Sequence, residues 1–320
     1  MTTLLGLNVK HMQETCMKTR PLKRSRNSWT WRQRPWVNSW QTIWDRRWLL
    51  GSIAGHNEYP RNCRGLGILR TVNALKRAWN REAPICVFLM ETKLSTEQLN
   101  NMKQNWDYNQ GLVVSSNGLS GGLALLWKLN TQVHVQNFSR WFIHAHIVCA
   151  DIGLKWRLTG FYGHPDTSKR KEMWTLLESL SYSSTLPWLC LGDFNEIISH
   201  AEKANGNLRP ARQMDRFRTA ISHCGFFDLG HRGSPFTWSR NHPIEGHIHI
   251  RLDRAFATVA WKWHFPKTVV HHVPVSISDH SMLAVHWPTL RPRKPLYPPP
   301  FHFEAMWLRD PHFAKVVEEA

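Results

Sequence analysis

From about residue 62 onward, apolar residues follow two periods, one typical of helices and one typical of short strands. Val72, Leu75 and Trp79 share one face of a predicted helix, and two more helices are predicted at about 168–181 and 212–224. The predicted strands cover residues 85–90, 122–127, 156–162, 187–191, 235–239, 247–252 and 281–287. Strands that alternate with helices predict an α/β (or α+β) protein with layered sheets covered by helices.

The two ends of the chain lack this regular pattern. Residues 1–60 are basic and rich in Trp and Arg, and we predict a poorly specified extension without strand or helix. Its Trp and Arg side chains could stack on bases, or the segment could be foreign to the fold. The predicted domain spans residues 61–288, a Pro-rich basic linker spans 289–300, and residues 301–320 are too few to form a domain.

Composition narrows the partners and the compartment. Forty-one Lys and Arg against 23 Asp and Glu favour a polyanionic partner, nucleic acid or an anionic surface, over a basic protein without one. Six Cys without a Cys-x-x-Cys pair argue against a zinc ribbon and for a reducing compartment. No apolar run reaches the roughly 20 residues that span a bilayer. We expect a soluble protein of the nucleus or cytoplasm, neither secreted nor membrane-bound, and residues 23–26 are either a nuclear address or an ordinary solvated run.

The most informative polar residues follow the apolar run 187–191. Asp193 and Asn195 alternate with Phe194, so both can point to one side of the sheet while Phe194 enters the core. Functional side chains of α/β proteins gather at the carboxyl ends of strands. Taken alone, a strand followed by Gly192-Asp193 is also compatible with an ordinary turn.

Other acids occupy similar positions. Glu91 follows one predicted strand, Asp253 ends another, and Asp279-His280 precedes a third. A hard cation needs carboxylate oxygens, and phosphodiester cleavage needs a base for water and groups that neutralise developing charge. The alternatives are a Lys-paired surface carboxylate for Glu91, a surface ion pair for Asp253 and a helix cap for Asp279.

Seven motifs extend this pattern in a fixed order. They are Asn62-Cys63-Arg64-Gly65-Leu66-Gly67, Met90-Glu91-Thr92-Lys93, Gly160-Phe161-Tyr162-Gly163-His164-Pro165, Gly192-Asp193-Phe194-Asn195, Phe236-Thr237-Trp238, Arg251-Leu252-Asp253-Arg254 and Ser278-Asp279-His280. On these motifs, residues 61–288 resemble the endonuclease/exonuclease/phosphatase superfamily, which includes deoxyribonuclease I, exonuclease III and inositol polyphosphate 5-phosphatases. The resemblance implies a four-layered α/β/β/α sandwich of two mixed sheets flanked by helices.

A narrower likeness is to the endonuclease region of plant LINE-type non-LTR retrotransposons. It is carried by Cys63-Arg64-Gly65-Leu66-Gly67, Phe88-Leu89-Met90-Glu91-Thr92-Lys93, Gly225-Phe226-Phe227-Asp228-Leu229-Gly230 and Phe303-Glu304-Ala305-Met306-Trp307. Residues 301–320 would then be a fragment of the region before a reverse transcriptase, whose Tyr-x-Asp-Asp signature does not occur in the sequence.

The resemblance implies roles for individual residues. Glu91, with Asn62 and Asp279 nearby, would hold Mg²⁺, with Mn²⁺ as the alternative metal. Asp193 would orient or deprotonate the attacking water, and Asn195 would hydrogen-bond the scissile phosphate.

Two further roles complete the implied chemistry. His280, oriented by Asp253, would stabilise the transition state, and Tyr162 would donate to a phosphate oxygen or assist the leaving group. His164, Phe236 and Trp238 are candidates for phosphate or DNA contact, although a structural role is a good alternative for each. His144 and His146 alternate, and we predict that both lie on one exposed face.

One part of the family pattern is weak. The strand that should end just before Asn62 contains Pro60 and Arg61, and Pro cannot donate a ladder hydrogen bond. We therefore predict a lost or rebuilt first strand.

The expected function is a Mg²⁺-dependent endonuclease that nicks double-stranded DNA through backbone contacts, with no obligate protein partner inferable. An inactive or DNA-binding relic and an inositol phosphate or lipid phosphatase are the alternatives.

Overall fold

The computed structural model describes residues 46–51, 66, 69–118, 120–150, 153–242, 246–275 and 278–288. Most of the predicted extension, the predicted linker 289–300 and the fragment 301–320 lie outside these ranges, as does Asn62. In this part of the chain, no helix is long and apolar enough to cross a membrane.

Fifteen strands and five α-helices occur in the described residues, more than the sequence pattern predicts. The strands are β1 (Arg46–Gly51), β2 (Cys86–Met90), β3 (Gln110–Val114), β4 (Leu123–Trp127), β5 (Gln132–Phe138), β6 (Phe142–Cys149), β7 (Leu154–Tyr162), β8 (Trp188–Asp193), β9 (Lys203–Ala204), β10 (Phe226–Asp228), β11 (Trp238–His242), β12 (Gly246–Ile250), β13 (Asp253–Thr258), β14 (Val269–Val273) and β15 (Met282–Pro288). The helices are α1 (Leu69–Glu82), α2 (Thr96–Lys103), α3 (Arg170–Ser181), α4 (Ala211–His223) and α5 (Val259–His264).

Two large mixed sheets organise the described residues. The first has the strand order β14-β15-β1-β2-β4-β3, and the second has the order β10-β13-β8-β7-β6-β5. β1 and β2 are parallel in the first sheet, β7 and β8 are parallel in the second, and the remaining pairs in both sheets are antiparallel. A third, small sheet has the strand order β11-β12-β9. The predicted fold class, mixed sheets flanked by helices, is confirmed.

The central core forms where the two large sheets face each other. Phe88 of the first sheet approaches Gly160 of the second so closely that a Cβ at Gly160 would lie 2.2 Å from the Phe88 ring. Three buried indoles, Trp156, Trp261 and Trp287, meet edge to face with centroids 4.6 to 5.8 Å apart. Such edge-to-face contacts add to the area that the rings bury.

Helices cover the outer faces of both sheets. On the first sheet, Leu75 and Trp79 of α1 pack with Leu89 and Leu126. On the second sheet, residues of α3 and α4 pack with Phe161, and the larger contacts there are aromatic. The layers therefore follow the order helix, sheet, sheet, helix, because each sheet has apolar residues on both faces.

Strand β1 corrects one prediction from the sequence. It lies between β15 and β2, pairing antiparallel with the first and parallel with the second. No strand was predicted in residues 1–60, so that prediction is wrong for residues 46–51, and the sheet begins before the predicted boundary at residue 61. Because β1 is defined by partners far along the chain, its own short basic sequence carries little signal. Residues 52–61, where a lost or rebuilt strand was predicted, lie outside the described ranges.

Other elements escaped the sequence pattern for local reasons. Asp253 begins β13 and does not end the preceding strand, because the chain turns between β12 and β13. Helix α2 was missed although a readable signal precedes it. Ser95 and Gln98 form a capping box, in which each side chain accepts a hydrogen bond from the backbone N–H of the other.

The exposed face predicted for His144 and His146 is wrong for His144. β6 lies inside the second sheet between β5 and β7, so one face of it is covered by the helical layer. His144 is buried there, and its Nδ1 lies 2.7 Å from the hydroxyl of Thr159, which also accepts a 2.8 Å hydrogen bond from Trp188 Nε1. Burial, and then the positive charge of Arg157, lowers the pKa of His144 to about 4.

We predict that mild acid destabilises the fold through His144. The unfolded chain binds a proton at this imidazole below its ordinary pKa of about 6.5, whereas the folded chain does not bind it until about pH 4. The stability that His144 contributes is present above the unfolded pKa and is lost as pH falls from 6.5 towards 4. At pH 5 the loss is about 2 kcal/mol.

Urea unfolding at pH 7 and pH 5 measures this loss. His144→Gln keeps a polar partner for Thr159 but cannot titrate, so its unfolding free energy should depend less on pH than that of the wild type. His264→Gln, at an exposed position of α5, is the control. Equal pH dependence in wild type and His144→Gln would contradict the prediction.

Candidate active site

Three predicted site residues meet where β7 and β8 end and β13 begins. Tyr162 lies beside Asp193 in the parallel ladder, and Asp193 lies opposite Asp253 in the antiparallel ladder. All three residues are buried. The sheet register alone therefore places two carboxylates and a phenol at one edge of the second sheet.

The turn after β8 fixes the Asp193 carboxylate. Gly192 is required before it, because a Cβ there would lie 1.9 Å from the carbonyl oxygen of Phe161. Asn195 has a left-handed backbone with φ of 54°, and its N–H donates a 2.7 Å hydrogen bond to Asp193 Oδ1. Its Nδ2 donates to Asp193 Oδ2 at 3.0 Å and to the carbonyl oxygen of Gly163 at 2.9 Å. Donation by Asn195 to a phosphate would therefore replace one of these bonds. Non-glycine residues in this conformation are uncommon and cluster at functional sites.

Asp253 and His280 form a buried pair. His280 Nδ1 lies 2.8 Å from Asp253 Oδ2, and the two side chains are 1% and 0% exposed. The backbone N–H of His280 donates to the hydroxyl of Ser278 at 3.0 Å. Asp253 belongs to the second sheet and His280 comes just before β15 of the first, so this contact joins the two sheets at the site.

Thr237 holds the segment that carries this pair. Its hydroxyl oxygen accepts hydrogen bonds of 2.9 Å from the backbone N–H groups of both Leu252 and Asp253. Its carbonyl oxygen accepts from the N–H of Ser281, and the next residue, Trp238, is bridged to His280. Thr237 thus contacts the chain on both sides of the Asp253–His280 pair.

Electrostatics give the neighbouring groups different protonation states. Burial, followed by the Asp253 carboxylate, raises the pKa of Asp193 to about 7. Burial by itself would lower the pKa of His280, but the charge and hydrogen bond of Asp253, together with the charges of Asp193 and Asp279, raise that pKa to about 10. At neutral pH His280 is therefore positively charged, and Asp193 can exchange a proton.

Glu91 lies at the adjoining edge of the first sheet. It follows β2 with φ of 54° and is buried. The hydroxyl of Tyr162 donates to Glu91 Oε1, which makes a second link between the sheets, and Lys93 Nζ lies 3.7 Å from Oε2. Burial, and then the charge of Glu91, raises the pKa of Tyr162, so its hydroxyl stays protonated and remains a donor.

Asp279 reaches the same edge from β15. Leu283 of β15 pairs with Gly51, and Gly51 pairs with Phe88 of β2, so the start of β15 lies near the end of β2. Asp279 Oδ2 accepts a 3.1 Å hydrogen bond from Trp238 Nε1. Glu91 and Asp279 are the carboxylates at this edge that suit a hard cation.

The described residues include two of the three predicted metal ligands, Glu91 and Asp279. Within them, no group of three or more His, Cys, Asp and Glu side chains is arranged to hold a metal ion. The third predicted ligand, Asn62, lies outside the described ranges. The chain on either side of it does reach this edge, because Gly51 pairs with Phe88 and the N–H of Leu66 donates to the carbonyl oxygen of Thr92.

The predicted DNA-contact residues occupy two places. His164 lies against Trp141 in a tilted contact with centroids 4.4 Å apart, and Trp141 stacks on Tyr162 at 5.9 Å. Phe236 is half-buried and stacks on His249, and Trp238 is half-buried and holds Asp279. The indole N–H of Trp238 therefore binds Asp279 within the protein.

Sequence reasoning missed two residues next to the site. Arg140 and Trp141 form the turn before β6, and the Arg140 guanidinium lies 4.9 Å from the centre of the Trp141 ring. They line a cavity of about 120 Å³ that also includes Tyr162, Ser115 and Asn117. An exposed Arg beside a Trp is the signal that could have identified this turn, because this combination suits backbone charge and base stacking.

The surface ion pair considered for Asp253 is wrong. Its neighbours Arg251 and Arg254 instead contact Asp228 and Glu202, with distances of 2.8 Å to Asp228 from each arginine. Asp253 pairs with His280 because β13 places its side chain towards the other sheet, while both arginines are buried among these acids.

The described residues thus form a two-sheet sandwich with a buried Asp–His pair, a second aspartate and a glutamate at one edge. The chain belongs to the endonuclease/exonuclease/phosphatase family, whose sequence model matches residues 59–280. Members of this family are hydrolases, nucleases and phosphatases among them, and generally use divalent metal ions.

Solved structures show the same fold at low sequence identity. An AP endonuclease from Leishmania major is 14% identical, with a TM-score of 0.57 over 76% of this chain and 88% of that one. The endonuclease domain of TRAS1, a telomere-specific non-LTR retrotransposon, is 13% identical, with a TM-score of 0.54 over 77% and 100%. The Xenopus laevis APE2 catalytic domain is 14% identical, with a TM-score of 0.55 over 77% and 94%. A comparison with curated protein sequences gives no match.

We predict that Thr237→Val destabilises the protein by about 1–3 kcal/mol. Valine has nearly the same shape but leaves the buried N–H groups of Leu252 and Asp253 without their acceptor. Thr175→Val, at an exposed position of α3, is the control. Urea unfolding of both variants measures the difference, and equal stability of the two would contradict the role given to Thr237.

Proposed function

We propose that the protein is a divalent-metal-dependent phosphodiesterase that nicks double-stranded DNA. The observation that carries this proposal is the buried Asp253–His280 pair opposite Asp193 at one sheet edge. Phosphodiester cleavage needs a water-orienting base and positive charge near the phosphate, and these three residues supply both.

Each residue has a task that follows from its bonds. Asp193, held through both oxygens by Asn195, orients or deprotonates the attacking water. His280, charged and oriented by Asp253, stabilises the negative charge that develops on the phosphate. Tyr162 stays protonated, and its single hydroxyl proton would leave Glu91 to donate to a phosphate oxygen or to the leaving group. Asn195 contacts the phosphate through its side-chain Nδ2, in place of one of the two hydrogen bonds that this group now donates.

Glu91, Asp279 and Asn62 would hold the metal, Mg²⁺ or Mn²⁺. Two carboxylates from separate strands and an amide oxygen are the ligands that a hard cation prefers. When bound, the ion would supply Lewis-acid stabilisation of phosphate charge. Before substrate binds, the hydrogen bond from Tyr162 orients Glu91 for this task, and the hydrogen bond from Trp238 orients Asp279.

DNA is the favoured substrate because of charge and motifs. A net charge of +18 favours backbone contacts that do not depend on sequence. The exposed Arg140 on Trp141 lies beside Tyr162 and offers a phosphate contact and a stacking surface. His164 contacts the same ring and the half-buried Phe236 stacks on His249, so both are further candidates for DNA contact.

A LINE-type retrotransposon origin is supported by the quoted motifs and by the fold shared with the TRAS1 endonuclease domain. In such an element the nick leaves a 3′-hydroxyl that primes reverse transcription. We place the activity in the nucleus, where that target DNA lies.

We predict that Asp193→Asn slows nicking of supercoiled plasmid in Mg²⁺ by at least about 100-fold, because the isosteric amide cannot accept a proton. Asp215→Asn, which changes an exposed acid on α4, should leave the rate unchanged. Gel separation of supercoiled and nicked plasmid gives the rates, and a parallel reaction with chelator tests the metal requirement.

Equal nicking by wild type and Asp193→Asn would contradict the proposal, since the cleavage would then come from a contaminant. Salt-sensitive DNA binding without nicking would favour the relic, and phosphate release from inositol phosphates without nicking would favour the phosphatase.

A further inference from the structure

Arg170, the first residue of α3, reaches the loops that carry the site. Arg170 is 6% exposed, and its guanidinium donates three hydrogen bonds. Nη1 donates to Glu196 Oε2 at 2.8 Å, Nε to the carbonyl oxygen of His164 at 3.1 Å, and Nη2 to that of Pro165 at 3.0 Å. One side chain therefore joins the loop that follows β7 to the loop that follows β8.

Both oxygens of the Glu196 carboxylate have partners. Glu196 is 1% exposed and comes directly after Asn195. Its Oε1 accepts a 3.0 Å hydrogen bond from the N–H of Ile197, and Arg209 Nε lies 3.0 Å from the same oxygen. A buried carboxylate with a partner on each oxygen is held in one orientation.

The same two loops are also joined by Asn195. Its Nδ2 bond to the Gly163 carbonyl runs alongside the Arg170 contacts to the next two carbonyl groups in that loop. The left-handed backbone of Asn195 is an uncommon conformation that its surroundings must maintain. Glu196 is the next residue after Asn195, and Arg170 ties it to the loop that Asn195 itself contacts, so the pair holds Asn195 in place.

We propose that Arg170 and Glu196 are positioning residues for the reaction, acting through Asn195 to keep Asp193 and Tyr162 in register. This inference rests on the nuclease function proposed above. Neither residue touches substrate; their pairing sets the separation of the loops after β7 and β8. Small displacements of reacting groups slow catalysis much more than they weaken binding.

Arg170→Lys is the sharpest test because it keeps the positive charge. Lysine can pair with Glu196 but cannot also span the carbonyl oxygens of His164 and Pro165, since it lacks the planar fork of arginine. We expect kcat for plasmid nicking to fall about 10- to 100-fold with KM for DNA within about 2-fold of wild type. Glu196→Gln removes the ion pair but keeps an acceptor for the N–H of Ile197. Its kcat should fall by a similar factor.

Arg157→Lys is the matched control. Arg157 is buried like Arg170 and lies in the first half of β7, away from Tyr162. It donates to the carbonyl oxygen of Leu180 at 2.9 Å. It lies opposite Trp188 at the start of β8, whereas Tyr162 lies opposite Asp193 at the end of that strand. Arg157→Lys should lower the melting temperature by as much as Arg170→Lys but leave kcat unchanged.

A second readout does not depend on activity. The N–H of Asn195 is bonded to Asp193 Oδ1, so its hydrogen exchange by NMR reports whether the turn is held. Arg170→Lys should speed exchange at Asn195 at least about 10-fold relative to Phe194, whose N–H bonds to the Leu252 carbonyl. Arg157→Lys should not change this ratio.

The outcomes separate the two proposals. If the wild type does not nick DNA, the proposed function fails, while faster exchange at Asn195 still supports the positioning role. The positioning role is overturned if Arg170→Lys and Arg157→Lys lower kcat equally, or if neither changes exchange at Asn195. An increase in KM with unchanged kcat would also overturn it, because Arg170 would then act in DNA binding.

Discussion

The hydrogen bond between His280 and Asp253 is the contact on which the site depends. It is fully buried, and it joins a strand of the second sheet to the segment that leads into the first. A buried charge without a partner would cost several kcal/mol, so separating the two residues would destabilise the fold. The same pairing helps to keep His280 charged, while burial and then the Asp253 charge raise the pKa of Asp193 to about 7.

Three other acids near the site, buried or half-buried, also have partners. Tyr162 bonds Glu91 across the sheets, Arg170 bonds Glu196, and Arg254 bonds Asp228. Each link ties together loops or strands that are far apart in the sequence. The left-handed backbones of Glu91 and Asn195 occur within this network, which keeps them in place.

Local patterns predicted the elements that carry the site better than they predicted its contacts. The β8 strand and the turn at Asp193 follow from an apolar run and a period of two. β1 did not, because its place between β15 and β2 depends on distant partners. The burial of His144 also depends on a helix layer that adjacent residues do not reveal.

The contacts of the arginines were missed for a similar reason. Arg170 stands at the start of a helix, 26 positions before Glu196, and nothing in either local sequence indicates their pairing. Arg251 and Arg254 flank Asp253 in the sequence, which suggested an ion pair, yet the strand directs Asp253 to His280. Motif resemblance did bring Asp193, Asp253 and His280 together correctly, since it carries information about distant partners.

A double-mutant cycle of Asp253→Asn and His280→Gln, read as single-turnover plasmid nicking in Mg²⁺, tests the central claim most directly. If the two residues act as one unit, the double variant will be no slower than the slower single variant. Independent effects that multiply in the double variant, or a wild-type rate in either single variant, would contradict the account.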